Sequence, residues 1–253
     1  SFQKNAQANE LLPLLKVNKQ SSSQKQQWLQ NLGTIFNFSL AENELQEERE
    51  TSMFTVTNVT QPTAETNQHF RLELKSPTDN FQSGDLLALL PTGENEERQY
   101  SIGKIDVFTL SLSIRKHEFG ICSTYLSQLK PNDQLQARIQ SNSGFHPSPD
   151  VPLYLIANGT GVAPFIGMIS ENVNQQPIHL VWGMKSKEIS ALYTEEFESF
   201  RRTGKLSQTT FVYSKDPDFP KQYVQEIVSA DREKIVEILQ SNGQILICGS
   251  LAM

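Results

Sequence analysis

The spacing of hydrophobic and polar residues changes twice along the chain and divides it into three parts. In the first part, residues 1–50, a short apolar patch is followed by a Ser- and Gln-rich run and then by a mostly acidic stretch at 42–50. Polar, low-complexity sequence of this kind is typical of a solvated linker rather than of an independent domain. We therefore predict a linker or N-terminal extension over residues 1–50.

In the second part, residues 51–149, apolar and polar residues alternate over short segments. A period of two is that of a half-buried β-strand, because successive side chains point to opposite faces of a sheet. The alternating segments are residues 54–59, 70–74, 86–90, 97–102, 107–114 and 134–139. One amphipathic segment, starting near Gly120, separates the fifth strand from the sixth. Short strands in this number, with one helix, predict a small antiparallel β-barrel.

In the third part, residues 150–253, buried-type strands alternate with helices. Apolar runs indicate strands at residues 151–157, 178–183 and 244–249, a further strand that runs into a polar turn at 209–216, and helices at 165–171 and 225–240. Buried strands separated by helices are typical of a doubly wound parallel sheet. The predicted fold class is therefore β + α/β, a small barrel followed by a doubly wound domain.

Composition narrows the possible partners. A chain of 253 residues with 37% hydrophobic and 20% charged residues suits a soluble protein of two domains. Its net charge of −6 argues against a nucleic-acid partner, which would require a basic stripe. Cys122 and Cys248 are far apart, which indicates free thiols in a reducing compartment and excludes an iron–sulfur cluster within the chain. The longest apolar run, 151–169, is interrupted by Asn158 and Pro164, so we expect no transmembrane helix. We also predict no metal site.

The fourth predicted strand carries three side chains that could bind a ligand. If this segment is extended, Arg98 and Tyr100 share one face and Ser101 lies on the other. Arg98 offers a planar charged fork suited to phosphate, Tyr100 a flat aromatic ring, and Ser101 a hydroxyl that can donate or accept. Taken alone, such a group is most often an ordinary edge strand.

A small, polar segment lies where the barrel helix begins. It consists of Gly120, Ile121, Cys122 and Ser123. A helix opened by Cys122 or Ser123 would present free backbone N–H groups and a positive dipole end near Gly120, which together bind anions well. A plain helix cap is the alternative, because serine is a favoured capping residue.

Two turns of the α/β part can bind a nucleotide. Gly159, Thr160 and Gly161 join a strand to a helix, where glycines let phosphates approach the backbone, although the third glycine of the usual fingerprint is missing. Polar and basic residues then follow the strand at 209–216: Ser214, Lys215, Lys221, Tyr223 and Gln225. Asp216 leaves the choice of nucleotide open, because an acid at a strand end can bind a free ribose hydroxyl.

These motifs, in this order, resemble those of the ferredoxin–NADP reductase family, which includes the reductase modules of cytochrome P450 reductase and sulfite reductase. The resemblance covers roughly residues 51–253 and rests on Arg-x-Tyr-Ser, Gly-x-Cys-Ser, Gly-Thr-Gly-x-Ala-Pro-Phe and Cys-Gly. It implies an FAD-binding barrel at 51–149 and an NAD(P)-binding domain at 150–253, the latter C-terminally incomplete because the expected aromatic over the flavin is missing. Lys185 and Lys215 depart from the family, which usually has arginine at these positions.

The resemblance also implies roles for the residues above. Arg98 and residues 120–123 would hold the FAD diphosphate, and Tyr100 would pack against the flavin. Ser101 and Cys248 would be the catalytic pair, the first beside the reactive flavin nitrogen and the second against the nicotinamide. The turn at 159–161 and the polar set from Ser214 to Gln225 would hold NADPH, with Asp216 facing away. Phe145 is expected at the domain junction and His146 in an exposed loop without a catalytic role.

The implied activity is hydride transfer from NADPH to FAD, followed by electron transfer to a partner. That partner would be a flavodoxin-like, ferredoxin or membrane module, or a domain upstream of the linker. We expect a cytoplasmic protein, or the soluble cytoplasmic part of a larger membrane-attached chain. A stand-alone NAD(P)H:flavin or ferric-chelate reductase is the alternative, and a non-catalytic nucleotide sensor is disfavoured by the intact motifs.

Overall fold

A computed structural model describes residue 31, residues 50–91 and residues 97–249, so nearly all of the predicted linker lies outside the described residues. The first half of the described chain is an antiparallel sheet with one helix, α1, at Ile121–Gln128. Its strands are β1 (Ser52–Val59), β2 (His69–Lys75), β3 (Leu86–Leu89), β4 (Arg98–Ser101), β5 (Gly103–Lys104), β6 (Thr109–Arg115) and β7 (Gln134–Gln140).

This sheet curls into the predicted barrel. The strand order is β4-β3-β7-β1-β2-β6-β5, so β4 and β5 lie at opposite ends of the order. Only Ile102 separates these two strands in the chain, and the sheet must therefore bend round on itself. Inward-facing residues of alternating strands, such as Phe54, Leu72 and Leu112, form a single buried core. Burial of that core is the main stabilising contribution to this half of the protein.

The described barrel has seven strands instead of the six predicted, because Gly103–Lys104 forms the additional short strand β5. The strand predicted at 107–114 begins two residues later than predicted, at Thr109. The Asp106 carboxylate accepts hydrogen bonds from the backbone N–H groups of Phe108 and Thr109, both at 2.8 Å. Aspartate commonly forms turns in this way. The turn sends the chain back against the short strand β5, which alternation alone does not reveal.

The second half of the described chain is a parallel sheet with helices on both faces. Its strands are β8 (Leu153–Asn158), β9 (Ile178–Met184), β10 (Gln208–Tyr213) and β11 (Gln244–Cys248), in the order β10-β9-β8-β11. Its helices are α2 (Ala163–Ser170), α3 (Thr194–Thr203), α4 (Val224–Ala230) and α5 (Arg232–Gln240). This confirms the predicted doubly wound sheet. The order reverses between β8 and β11, which is where open α/β sheets bind ligands.

The residues of β8 show why both faces are covered. Leu155 and Ala157 point into one core with α2 and α3, whereas Tyr154 and Ile156 point into a second core with α4 and α5. A strand that is apolar on both faces must have cover on both faces. None of the helices in the described part of the chain is both long and apolar enough to cross a membrane.

The helical region predicted at 225–240 is present, but it consists of two helices because the chain breaks at Asp231. Asp231 ends α4 and precedes α5, with φ −83° and ψ 13°, outside the helical region. Its carboxylate accepts a hydrogen bond of 2.8 Å from the hydroxyl of Tyr154, a residue of the buried strand β8. Aspartate competes with regular helix for local hydrogen bonds. The hydrophobic spacing continues through this position and therefore conceals the break.

The barrel and the parallel sheet meet at two glycines, which we call the glycine seam: Gly103 of β5 and Gly167 of α2. A Cβ atom on Gly103 would lie 2.2 Å from the carbonyl oxygen of Ala163, and one on Gly167 would lie 2.2 Å from the Ser83 hydroxyl. Any side chain would force the two layers apart. Phe145 stacks on Phe165 beside the seam at 5.9 Å, as predicted. The exact domain limits, 51–149 and 150–253, stay predictions.

Candidate functional site

Strand β4 lies beside the start of helix α1. The hydroxyl of Tyr100 donates a hydrogen bond of 3.3 Å to the sulfur of Cys122. Burial, followed by the neighbouring Cys122 thiol, raises the pKa of Tyr100 well above its ordinary value, so the phenol keeps its proton. The charge of Arg98 acts on the same phenol in the opposite sense, which places the guanidinium nearby. The predicted Arg-x-Tyr-Ser and Gly-x-Cys-Ser motifs are therefore brought together.

Helix α1 begins at Ile121 with Gly120 as its N-cap, so the prediction that Cys122 or Ser123 opens it is wrong by one or two residues. The Ser123 hydroxyl accepts the backbone N–H of His117 at 3.1 Å and donates to the carbonyl of Gly120 at 3.2 Å. It therefore shapes the loop before the helix. The first turn has neither a side-chain cap nor an acidic residue, so no carboxylate in it would repel an anion from the positive end of the helix dipole.

The residue before this helix is a feature that the sequence interpretation missed. Phe119 is 91% exposed and directly precedes Gly120. A single exposed aromatic residue is ordinary on a protein surface, so only its position beside the helix start draws attention to it. Its signal in the sequence is only its position next to the glycine, which is too weak to identify it.

Ser101 and Cys248 meet although 147 residues separate them. The Ser101 hydroxyl lies 3.8 Å from the Cys248 sulfur, and both residues are half-buried. Burial raises the pKa of the Cys248 thiol, and the Ser101 contact opposes that shift only in part. The thiol is therefore neutral at neutral pH and is not an activated nucleophile. Ser101 ends β4 and Cys248 ends β11, so this contact joins the barrel to the point where the strand order of the parallel sheet reverses.

The turn at Gly159–Val162 lies against the same point. Gly159 has φ +55°, in the left-handed region that favours glycine, and its carbonyl accepts a hydrogen bond of 2.9 Å from the indole N–H of Trp182. A Cβ atom on Gly161 would lie 2.0 Å from the carbonyl oxygen of Cys248. Both glycines are therefore required by the backbone path, and Thr160 is held between them beside the end of β11.

The predicted polar set surrounds the end of β10. The backbone N–H groups of Ser214 and Lys215 donate to the carbonyls of Met184 and Lys185, and that of Gln222 donates to Tyr213. The ammonium of Lys221 lies 5.4 Å from the centre of the Tyr223 ring. The structure thus brings Ser214, Lys215, Lys221 and Tyr223 to one strand end, and Gln225 follows, exposed, in the first turn of α4.

Asp216 points into the protein. Its carboxylate accepts hydrogen bonds from the backbone N–H groups of Lys187, at 2.7 Å, and Asp218, at 3.0 Å. Burial alone would raise the pKa of Asp216, but these hydrogen bonds outweigh it and the pKa lies below its ordinary value. The carboxylate is therefore charged and already occupied, and it faces away from the strand end as expected.

Lys215 belongs to a group of hydrogen-bond donors that we call the cation cluster, which consists of Asn67, Arg115, Lys185 and Lys215. The Lys185 ammonium donates to the Asn67 side-chain carbonyl at 3.2 Å. Burial, followed by the charges of Arg115 and Lys215, lowers the pKa of Lys185. Asn67 Nδ2 and Arg115 Nε are buried without an acceptor among the described residues. Buried donors normally have partners, so a cluster with donors in excess fits an anion.

Comparison with known proteins agrees with this arrangement. The family model of the oxidoreductase NAD-binding domain matches residues 155–253. The chain is 31% identical over 147 residues to nitric oxide synthase 3 of Sus scrofa and 35% identical over 149 residues to the inducible nitric oxide synthase of Bos taurus. Each match covers 53% of this chain but only 12% and 13% of the synthases, so the chain spans about an eighth of the length of these curated relatives.

Solved structures share the same fold. Ferredoxin–NADP+ reductase from Plasmodium falciparum with 2'P-AMP superposes with a TM-score of 0.66 at 20% identity, over 80% of this chain and 87% of the other. A second structure of the same Plasmodium falciparum reductase superposes with a TM-score of 0.65 at 19% identity, over 80% of this chain and 87% of the other. The chain therefore contains an oxidoreductase NAD-binding domain and has the fold of ferredoxin–NADP+ reductase. The predicted resemblance to ferredoxin–NADP reductase-like proteins, and with it the prediction of an oxidoreductase, is confirmed.

The barrel also contains a buried histidine, His69, that the sequence interpretation did not single out. Nδ1 of His69 lies 3.0 Å from the carbonyl of Thr66 and 3.2 Å from that of Asn67, so Nδ1 carries the proton. Burial lowers the pKa of His69 to about 4, and the charges of Arg115 and Lys185 act in the same direction. The imidazole is therefore neutral beside the cation cluster, and its Nε2 would lie 3.6 Å from a Cβ atom on Gly159.

Acid should destabilise the folded protein through His69. The unfolded chain binds a proton on this residue below its ordinary pKa of 6.5, whereas the folded protein resists until about pH 4. Stability is therefore lost as the pH falls through that window, by about 3 kcal/mol in total. We expect urea unfolding between pH 7 and pH 4.5 to show a smaller loss in His69→Asn than in wild type. The exposed His117→Asn variant is the control, and equal pH slopes in all three proteins would contradict the prediction.

Proposed function

We propose that the reductase module binds FAD at the barrel and oxidises NADPH, with the electrons passing to a protein acceptor. The observation that carries the proposal is the contact between Ser101 of the barrel and Cys248 of the parallel sheet. This contact brings the strand predicted to face a flavin to the strand end predicted to face a nicotinamide. A flavin ring and a nicotinamide ring that meet there would share one reaction site.

The residues at the start of α1 fit FAD. The first turn of α1 directs the positive end of the helix dipole toward a diphosphate, and Arg98 adds a permanent positive charge on the neighbouring strand. Tyr100, held by Cys122, offers an aromatic face for the flavin ring system. Phe119, exposed next to the helix start, offers a second aromatic face that suits the adenine at the other end of the diphosphate. When bound, FAD supplies the chemistry, accepting a hydride and releasing electrons singly or in pairs.

The residues around the parallel sheet fit NADPH. The turn at Gly159–Val162 suits the diphosphate because it lets phosphates approach the backbone closely, and Asn67, Arg115 and Lys185 of the cation cluster provide excess donors. Ser214, Lys215, Lys221 and Tyr223 suit the 2′-phosphate at the end of β10. Since Asp216 is turned away, no carboxylate competes for that phosphate at this position. The Plasmodium reductase whose structure carries 2'P-AMP, an adenosine with a 2′-phosphate, supports the same preference.

Ser101 and Cys248 would orient the reacting rings. The Ser101 hydroxyl can donate to a nitrogen or oxygen acceptor placed beside it. Cys248 is a neutral, polarisable thiol that can pack against a flat ring without adding charge. A hydride moves without a free proton, so a site without an ionised acid or base suits it. The turn at Gly159–Val162 lies directly against Cys248, so a ring packed on that thiol would also contact this turn.

The acceptor follows from family likeness alone, and we propose a flavodoxin-like, ferredoxin or membrane module, or an upstream domain. Steady-state turnover with flavodoxin, ferredoxin, free flavin and ferric chelates would identify it. Faster turnover with free flavin or a ferric chelate than with every protein acceptor would favour a stand-alone reductase instead.

The FAD site can be tested directly. We expect the protein to purify yellow and to bleach with NADPH, with FAD released on denaturation. Replacing Arg98 with Ala should weaken FAD binding about ten- to hundredfold, since a charge-assisted contact with a diphosphate contributes about 1.5–3 kcal/mol. The Arg98→Lys control keeps the charge but loses the fork, so its affinity should be intermediate. Release of FMN, or no flavin after reconstitution, would contradict the assignment.

A further inference from the structure

His146 is not the exposed loop residue that the sequence predicted. Its Nε2 donates a hydrogen bond of 2.7 Å to the carboxylate of Asp85, and the histidine side chain is only 17% exposed. Asp85 is 4% exposed and lies in the turn before β3. The prediction failed because the partner lies 61 residues earlier in the chain, in the barrel, where no local pattern connects the two.

The Asp85 carboxylate collects three donors from two parts of the chain. Besides His146, it accepts the backbone N–H of Asn142 at 2.9 Å and that of Gln82 at 2.9 Å. Asn142 and His146 both belong to the segment that leads from β7 to β8, from the barrel into the parallel sheet. One buried carboxylate therefore fastens this connecting segment to the barrel. A buried carboxylate with full hydrogen bonding is strongly stabilised, whereas one that loses a donor is costly.

The same turn holds the backbone next to Ser101. The carbonyl of Asp85 accepts the N–H of Ile102 at 2.8 Å, and the N–H of Gly84 donates to the carbonyl of Ile102 at 2.9 Å. Ile102 lies between Ser101 and the seam residue Gly103. A shift of this turn would therefore move Ser101 and the seam together.

Phe145 links this arrangement to the parallel sheet. Its ring would lie 2.9 Å from a Cβ atom on Gly84, and it stacks on Phe165 of α2. Phe145 is thus packed between the turn at Gly84 and helix α2. Release of His146 would loosen Phe145 and, with it, the spacing between the two sheets.

We propose that His146 is a positioning residue, which acts through Asp85 to set the approach of Ser101 to Cys248 and so the alignment of the reacting rings. This inference rests on the proposed function for its catalytic consequence. The hydrogen bond needs only an N–H at the position of Nε2. Glutamine places an amide N–H at nearly the same reach, whereas asparagine is one methylene shorter and leaves Asp85 without its third donor.

The His146→Asn and His146→Gln variants form a matched pair. In the Asn variant, we expect the backbone amides of Gln82 and Asn142 to exchange with solvent about tenfold faster in the protein without FAD or NADPH, because a charge-assisted hydrogen bond is lost. With FAD bound and NADPH saturating, we expect kcat to fall about tenfold with KM nearly unchanged, as misalignment predicts. The Gln variant should match wild type in both measurements.

The two measurements separate the possible failures. Unchanged amide exchange in the Asn variant would overturn the clamp itself. Faster exchange with unchanged kcat, or equal losses in the Asn and Gln variants, would overturn the positioning role. If the Asn variant does not fold while the Gln variant does, His146 is required for folding, and the positioning role is again overturned. If wild type binds no FAD, the proposed function fails, while the exchange data still decide whether His146 clamps Asp85.

Discussion

Replacing Ser101 with Ala is expected to lower the rate of NADPH-dependent flavin reduction about a hundredfold and to leave FAD content unchanged. The Ser101 hydroxyl lies 3.8 Å from the Cys248 sulfur, where the two sheets meet. Removal of one preorganised donor from an enzyme site typically costs a hundredfold or more in rate. The core packing should survive, because the change removes a single half-buried oxygen. Rapid-mixing measurements of flavin bleaching provide the rate, and the flavin-to-protein ratio provides the FAD content.

The Ser101→Thr variant is the matched control. It keeps a hydroxyl on the same strand position, and threonine is well tolerated in strands, so its rate should lie much nearer to that of wild type. A wild-type rate in the Ala variant would show that the Ser101–Cys248 contact is only packing. Loss of FAD from the Ala variant would instead place Ser101 among the residues that hold the cofactor.

The second large effect concerns nucleotide choice. Simultaneous replacement of Lys215 and Lys221 by Ala should reduce the preference for NADPH over NADH about ten- to hundredfold, or about 1–3 kcal/mol. Both lysines flank the end of β10, and the nearby Asp216 is engaged with backbone N–H groups. Loss of the two charges should weaken binding of the 2′-phosphate, which NADH lacks. The ratio of the two kcat/KM values gives the preference directly.

Salt provides an independent check on the same residues. Exposed charges are screened over about 8 Å at physiological ionic strength, so added salt should erode the wild-type preference and change that of the double variant little. A Lys75→Ala/Lys130→Ala variant removes the same charge from exposed barrel positions and serves as control. Two results would contradict the prediction: equal use of NADPH and NADH by wild type, or the same ratio of kcat/KM values in wild type and both double variants. Either result would show that Lys215 and Lys221 are solvent-exposed residues that do not bind the 2′-phosphate.

The parts of this fold that could be predicted are those with local signals. Alternation in the barrel strands and continuous apolar runs in β8 and β9 directly reflect which faces are buried. The break at Asp231 could not be predicted, because it depends on the Tyr154 hydroxyl, 77 residues away. The short strand β5 likewise depends on a turn made by the Asp106 side chain, which alternation does not register.

The site divides in the same way. The turn at 159–161 and the helix start near Gly120 could be located because each motif is contiguous in sequence. Ser101 and Cys248 could be paired only through family resemblance. The cation cluster escaped prediction because Asn67, Arg115 and Lys185 lie on three separate segments, and only the folded chain brings their donors together.

The glycine seam limits how the barrel and the parallel sheet can move relative to each other. The two halves approach most closely at Gly103 and Gly167, where the main chain of one half leaves no room for a side chain on the other. One methyl group at either position would act as a wedge, and at Gly103 that wedge would sit two residues from Ser101. The closest approach of the two halves is thus set by the main chain at these two residues. A side chain at either position would act on the Ser101–Cys248 contact from a distance, because it would separate the halves to which these two residues belong.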